Sequence, residues 1–253
     1  MSRIYHETTP LIYKNITQDS PIRLVFLSGM GTPVRQQREG FFRRFALTSG
    51  ISYTALDYTR YVRQYKRSEN FQIPSIIPQT TSILESFPEE KFLLFGPCVG
   101  GLVGLIMTQK MPQKIAGAVI TSPACEIPSF PWIEQADKFL HHKVEEKTQK
   151  KRATYNQLKR LAILHQLFMA TVTTISKTPL VRTYQGPMTI FHGQKDPLIP
   201  VENSFRIQEA LQNPNLQLRI VPNVKHTVAF DKEMKQPISI LKQYLDRSLG
   251  VSN

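Results

Sequence analysis

Cysteine, tryptophan and acidic side chains are all scarce in this chain. The two cysteines, Cys98 and Cys125, are too few for a disulfide framework. That excludes the small stapled scaffolds of secreted proteins and makes a reducing, cytoplasmic setting the expectation. No apolar run is long enough to cross a bilayer, so no membrane span is expected. Residues Met1 to Glu7 lack the apolar stretch of a secretory signal. Metal-type ligands do not gather at metal spacing: His141-His142 stands alone in a lysine-rich stretch, and neither a metal nor another cofactor is expected. Only 19 Asp and Glu oppose 32 Lys and Arg, a net charge of +13 that attracts anionic partners over distance. No nucleic-acid recognition motif accompanies that charge, so nucleic acid is not the expected partner. Internal repeats are absent, and the sequence leaves the oligomeric state open.

What is present is an alternation of apolar runs and helical patterns. Strands are expected at Leu11 to Ile16, Ile22 to Leu27, Ile51 to Tyr58, Lys91 to Phe95, Ile115 to Ile120, Met188 to Phe191 and Leu216 to Val221. Helices are expected from Val34 to Ser49, with Phe41, Phe42, Phe45 and Ala46 on one side, and from Pro78 to Ser86. Two more are expected from Val201 to Leu211 and from Pro237 to Leu249, the last with Leu241, Tyr244, Leu245 and Leu249 on one stripe. Continuous apolar strands between helices predict an α/β fold with a mostly parallel central sheet covered on both faces. Residues 125–186 break the rhythm with a long, basic, mainly helical stretch. It is expected to be a helical cap inserted after the sixth strand region, over a core of 1–124 and 187–253.

The chemistry concentrates at residues 96–101, Gly96-Pro97-Cys98-Val99-Gly100-Gly101. An apolar strand precedes them and the apolar helix from Leu102 follows. The pattern G-x-C-x-G-G is a nucleophile elbow with a thiol where serine usually sits. The turn forces its central residue into strained backbone angles and lifts the sulfur over a helix N-terminus. Downstream, Asp196 follows the Met188 strand in His192-Gly193-Gln194-Lys195-Asp196, with Pro200 four residues on, and His226 follows the last strand.

The order nucleophile, acid, histidine, carried by Gly96 to Gly101, by His192 to Pro200 and by His226, resembles the α/β-hydrolase superfamily over nearly the whole chain. With cysteine at the elbow the chain is similar to dienelactone hydrolases, polyhydroxyalkanoate synthases and bile-acid-CoA amino acid N-acyltransferases. The resemblance implies that Cys98 attacks a carbonyl as thiolate, His226 moves the proton and Asp196 orients the imidazole. It further implies an oxyanion hole from the backbone N–H of Val99 and of a residue after the second strand, for which Met30 is the candidate. Trp132, Phe130 and Phe168, with Cys125 at a strand end, are candidate pocket residues. The expected activity is acyl transfer through an acyl-cysteine, by a thioesterase or acyltransferase acting on a hydrophobic acyl-CoA or acyl-carrier protein. Lys143, Lys147, Lys150, Lys151, Arg152, Lys159 and Arg160 in the cap would draw such anionic donors. The alternatives are an ester or lactone hydrolase of dienelactone-hydrolase type and a non-catalytic binding protein on the same fold.

Overall fold

A computed structural model of the 253-residue chain describes residues 12–29, 37–58, 76–125, 133–149, 180, 182–226 and 235–251. Among them run seven strands. β1 is Ile12–Ile16, β2 Ile22–Leu27, β3 Ser52–Leu56, β4 Lys91–Pro97, β5 Ile115–Thr121, β6 Met188–Gly193 and β7 Leu216–Val221. The helices of eight or more residues are α1 Gln37–Thr48, α2 Ile76–Glu85, α3 Val99–Lys110, α4 Ile133–Gln149, α5 Glu202–Leu211 and α6 Lys235–Ser248.

The strands form one sheet in the order β1-β3-β2-β4-β5-β6-β7, in which only β1 is antiparallel to its neighbour. Period-two alternation sends side chains to both faces, and both faces are apolar, which is why these strands read as unbroken hydrophobic runs. Along β2, Val25 and Leu27 join one core with Leu102, Leu105 and Ile106 of α3 and Ile207 of α5. Ile22, Leu24 and Phe26 join the other, with Phe42 of α1 and Leu241 and Leu245 of α6. Helix α3 is buried almost all round, so its sequence carries no amphipathic stripe.

Two helical faces differ from expectation. Phe42, Phe45 and Ala46 are buried, but Phe41 is 49% exposed. At about 100° per residue Phe41 stands about 40° from Phe45 but about 100° from Phe42 and 140° from Ala46, so it falls at the edge of their buried face. Leu249 also points out, because the chain leaves the helical path after Ser248. The insertion follows the fifth described strand, β5, rather than a sixth, since the elbow strand and the next are fourth and fifth in sequence. Within it lies α4; further on, Thr183 bonds to Gln109 of α3, and Tyr184, 3% exposed, packs into the core.

The amino-terminal rim of the sheet is closed by charge. Arg23, fully buried, pairs through its guanidinium with Glu90 and reaches Asn15 Oδ1 at 2.6 Å and Thr54 Oγ1 at 2.9 Å. One side chain thereby joins β1, β2, β3 and the turn before β4. Removing one partner of such a pair leaves a charge stranded away from water. Glu90→Ala is expected to lower unfolding stability by about 3 kcal/mol in urea melts. The double change Arg23→Met with Glu90→Leu should recover most of that loss; a Glu90→Ala protein as stable as the parent would contradict this account of the rim.

Candidate active site

Strand β4 runs straight into α3 through the single residue Cys98, whose backbone sits at φ 53° and ψ −117°. A side chain there is strained unless its surroundings impose the conformation. They do so by packing and by hydrogen bonds. A Cβ on Gly96 would overlap the Gly100 carbonyl, and one on Gly100 would overlap the carbonyls of Leu27 and Ser28. Only glycine lets strand and helix approach this closely. The Cys98 N–H donates to Thr121 O at 2.9 Å, and its carbonyl accepts from Leu102 at 3.0 Å and Ala124 at 3.1 Å. Cys98 is 6% exposed, and Val99 opens the first turn of α3, whose N–H groups lack intrahelical acceptors.

The loop after β6 carries Asp196. One carboxylate oxygen accepts the backbone N–H groups of Leu198 at 2.9 Å and Ile199 at 3.0 Å, and the other accepts His226 Nδ1 at 2.7 Å. The loops bearing acid and histidine are zipped together by Gln194 N to Val221 O at 3.0 Å and Lys195 N to Val224 O at 2.8 Å. Gly193 makes the zipper possible, since a Cβ there would run into the Lys225 carbonyl and lie 2.6 Å from that of Val224.

Burial disfavours the charge of Asp196, but hydrogen bonds from His192 and His226 and the His226 charge outweigh it and hold the carboxyl well below its usual range. Burial also opposes a charged His226. Charge and hydrogen-bond interactions with Cys98 and Asp196 overcome this and raise the imidazole from 6.5 to about 10. Residues 98, 196 and 226, far apart in sequence, thus act on one another electrostatically.

Several expected site residues lie outside the described residues: Met30, Phe130, Trp132 and Phe168, and the cap cations Lys150, Lys151, Arg152, Lys159 and Arg160. Cys125 is 1% exposed and belongs to the apolar core one residue beyond the Ala124 bond to the elbow; it and Cys98 are both free thiols. Helix α4 holds three lysines against four carboxylates, with Lys143 paired to Glu146 at 3.0 Å and Lys138 to Glu134 at 2.8 Å. Of the cations expected to draw anionic donors, Lys143 and Lys147 lie on this helix. His141 and His142 are exposed on it, and no group of three metal-type ligands exists among the described residues. Among the described residues no helix is long and apolar enough to cross a membrane. Two residues of the site's surroundings were not singled out from sequence: Asn203 and Ser204, both fully buried in the first turn of α5. No periodicity marks them.

The model of the family described as Serine aminopeptidase, S33, matches residues 76–233, which span the elbow, the acid and the histidine. No curated protein matches the chain in sequence. Similar solved structures include the mouse alpha/beta hydrolase domain-containing protein 10, 15% identical with a TM-score of 0.64 over 92% of this chain and 93% of that one. The monoacylglycerol lipase of Paleococcus ferrophilus is 17% identical with a TM-score of 0.64 over 93% and 98%. A structure from a study of carboxylesterases of Nitrososphaera gargenis is 13% identical with a TM-score of 0.67 over 94% and 95%. These likenesses show the fold, which is that of the α/β hydrolases.

Two outcomes follow from the site's electrostatics and packing. A folded-state imidazole raised above 6.5 contributes its full stability below pH 6.5 and loses it as pH climbs to about 10. Unfolding free energy should therefore fall between those values in the parent and fall less in His226→Asn; parallel curves would refute the coupling. Gly193→Ala should part the two loops and cost about 1–3 kcal/mol, measured by thermal melts, with His226 returning toward its ordinary titration.

Proposed function

Because the chain belongs to the Serine aminopeptidase, S33 family of α/β hydrolases, we propose that it is an acyl-transfer enzyme whose nucleophile is the sulfur of Cys98 instead of a serine oxygen. The observation that carries this reading is the coupling of His226 to both Cys98 and Asp196 at the carboxyl rim of the sheet.

In the proposed reaction the Cys98 sulfur attacks the acyl carbonyl and a carbon–sulfur bond forms. The negative charge on oxygen is met by the Val99 N–H and by a second donor, assigned to Met30; losing one such donor costs about 3 kcal/mol of barrier stabilisation. His226, protonated up to about pH 10, supplies the proton that the departing alcohol or thiol needs. Water or another acceptor then gives its proton back to His226 and attacks the acyl-cysteine, and the sulfur leaves with the bonding electrons. Asp196 keeps the ring in the tautomer with hydrogen on Nδ1 and balances its charge throughout.

The substrate class we infer is a hydrophobic acyl thioester carried by coenzyme A or an acyl-carrier protein. An acyl-cysteine is itself a thioester, so exchange with a thioester donor is nearly neutral in energy. Both donors are anionic, and a chain of net charge +13 attracts them. Lys195 and Lys225, exposed next to Asp196 and His226, add cations at the rim. Residues 125–186 are assigned as the cap, with Trp132, Phe130, Phe168 and Cys125 lining an acyl pocket. The cytoplasm is the assigned compartment, where two free thiols stay reduced. A second reading, hydrolysis of a small oxygen ester or lactone, draws support from neighbours titled as a monoacylglycerol lipase and carboxylesterases. A third, a binding protein without turnover, would leave Cys98 no more reactive than Cys125.

Intact-mass spectrometry after mixing with a panel of acyl-CoAs and oxygen esters separates the three. A gain of one acyl group from the thioesters, absent in Cys98→Ala, is the expected result. Acylation by oxygen esters alone would move the assignment to the second reading. Slow, equal iodoacetamide labelling of Cys98 and Cys125 would move it to the third. Thioester acylation is also expected to slow as salt rises, because surface charge is screened within about 10 Å at 0.1 M.

A further inference from the structure

We propose that His192 and Ser204 are positioning residues: a buried imidazole, locked by a serine on the following helix, fixes the plane of the Asp196 carboxylate. This rests on the reading of Asp196 and His226 as acid and base.

His192 closes β6 and Ser204 lies in the first turn of α5; both are 0% exposed. His192 Nε2 is 2.9 Å from the Ile199 carbonyl and 3.4 Å from the same Asp196 oxygen that accepts from His226. A carbonyl only accepts, so Nε2 carries a hydrogen, donated to Ile199 O with Asp196 Oδ2 close by at 3.4 Å. Nδ1 lies 2.6 Å from Ser204 Oγ, and in the neutral ring it accepts the hydroxyl hydrogen. The Ile199 carbonyl thereby selects the tautomer, and the serine hydroxyl adapts to it as donor and holds the ring in place. The opposite tautomer would turn a lone pair on two oxygens.

A histidine serving only the core would be satisfied by the serine and the carbonyl. The approach to the acid is additional, and it is made to Oδ2, not to the oxygen that accepts the backbone donors of Leu198 and Ile199. The helix that anchors the lock is itself tied to the elbow. Asn203 donates Nδ2 to Pro123 O at 3.2 Å, and the next residue, Ala124, donates to Cys98 O at 3.1 Å. The first turn of α5 thus touches both the loop of Asp196 and the segment bonded to Cys98.

The test is a ring-nitrogen NMR titration of His226 in the full chain, which needs no substrate. The titratable groups facing His226 are Cys98, from the turn after β4, and Asp196, from the loop after β6; both stay intact in the variants. With Oδ2 no longer flanked by the locked ring and the carboxylate held only through Oδ1, the His226 midpoint is expected to fall by about one pH unit in Ser204→Ala and in His192→Phe, as for a partly lost carboxylate partner. His192→Gln, whose amide nitrogen can reach the Nε2 position, should restore most of it. Should His192→Phe fail to fold, Ser204→Ala and His192→Gln decide. An unchanged midpoint in folded Ser204→Ala overturns the proposal. So does a rise, the result if His192 merely withdrew charge from the carboxylate, and so does a failure of Gln to restore. A chain that is never acylated but shows the fall keeps this inference and loses the covalent one; acylation without the fall does the reverse.

Discussion

Backbone hydrogen bonds at the ends of the parallel strands set the geometry of the site. Cys98 N donates to Thr121 O, Ser122 N to Phe191 O and Gln194 N to Val221 O. Each bond extends the sheet one step past a strand end, so the loops leave β4, β5 and β6 in a fixed relation. Cys98 stands at the exit of β4 and Asp196 at that of β6, and the Gln194–Val221 bond carries the ladder on to β7, beyond which His226 stands. Their separation is therefore a property of the ladder, with little left to loop conformation. The cost appears as positive φ at Cys98 and at Ser122, neighbours across the β4–β5 boundary, at 53° and 41°. Strain of this kind persists when surrounding contacts over-determine it.

The tight turn at Cys98 and the loop positions of Asp196 and His226 were legible in the sequence because each rests on local chemistry. Gly96 and Gly100 mark a close approach, Asp196 sits three residues past a glycine after an apolar strand, and His226 follows the last strand. The strands were legible because burial on both faces leaves unbroken apolar runs. The first turn of α5 was not legible. Ser204 and Asn203 are ordinary residues for a helix start, and only the fold brings them to His192 and Pro123. Phe41 misled for a different reason: a run of aromatics looks like a face until each residue is given its own 100°.

Sulfur at an elbow whose family is named for serine changes the balance of the proposed reaction. Serine needs its base to remove a proton during attack. In the proposed reaction the imidazole, raised by its interactions with Cys98 and Asp196, is placed to give a proton. A shift of each pH unit corresponds to about 1.4 kcal/mol of preference for the charged ring.

The two rims of the sheet are secured by unlike means, a buried guanidinium cluster at one and the strand-end ladder at the other. A six-residue strand such as β2 keeps them roughly 20 Å apart. Perturbations that distant, with no shared partner, combine additively. The Arg23 rim is thus open to protein engineering: its polar cluster can be redesigned for robustness while the reactive end is left as it stands.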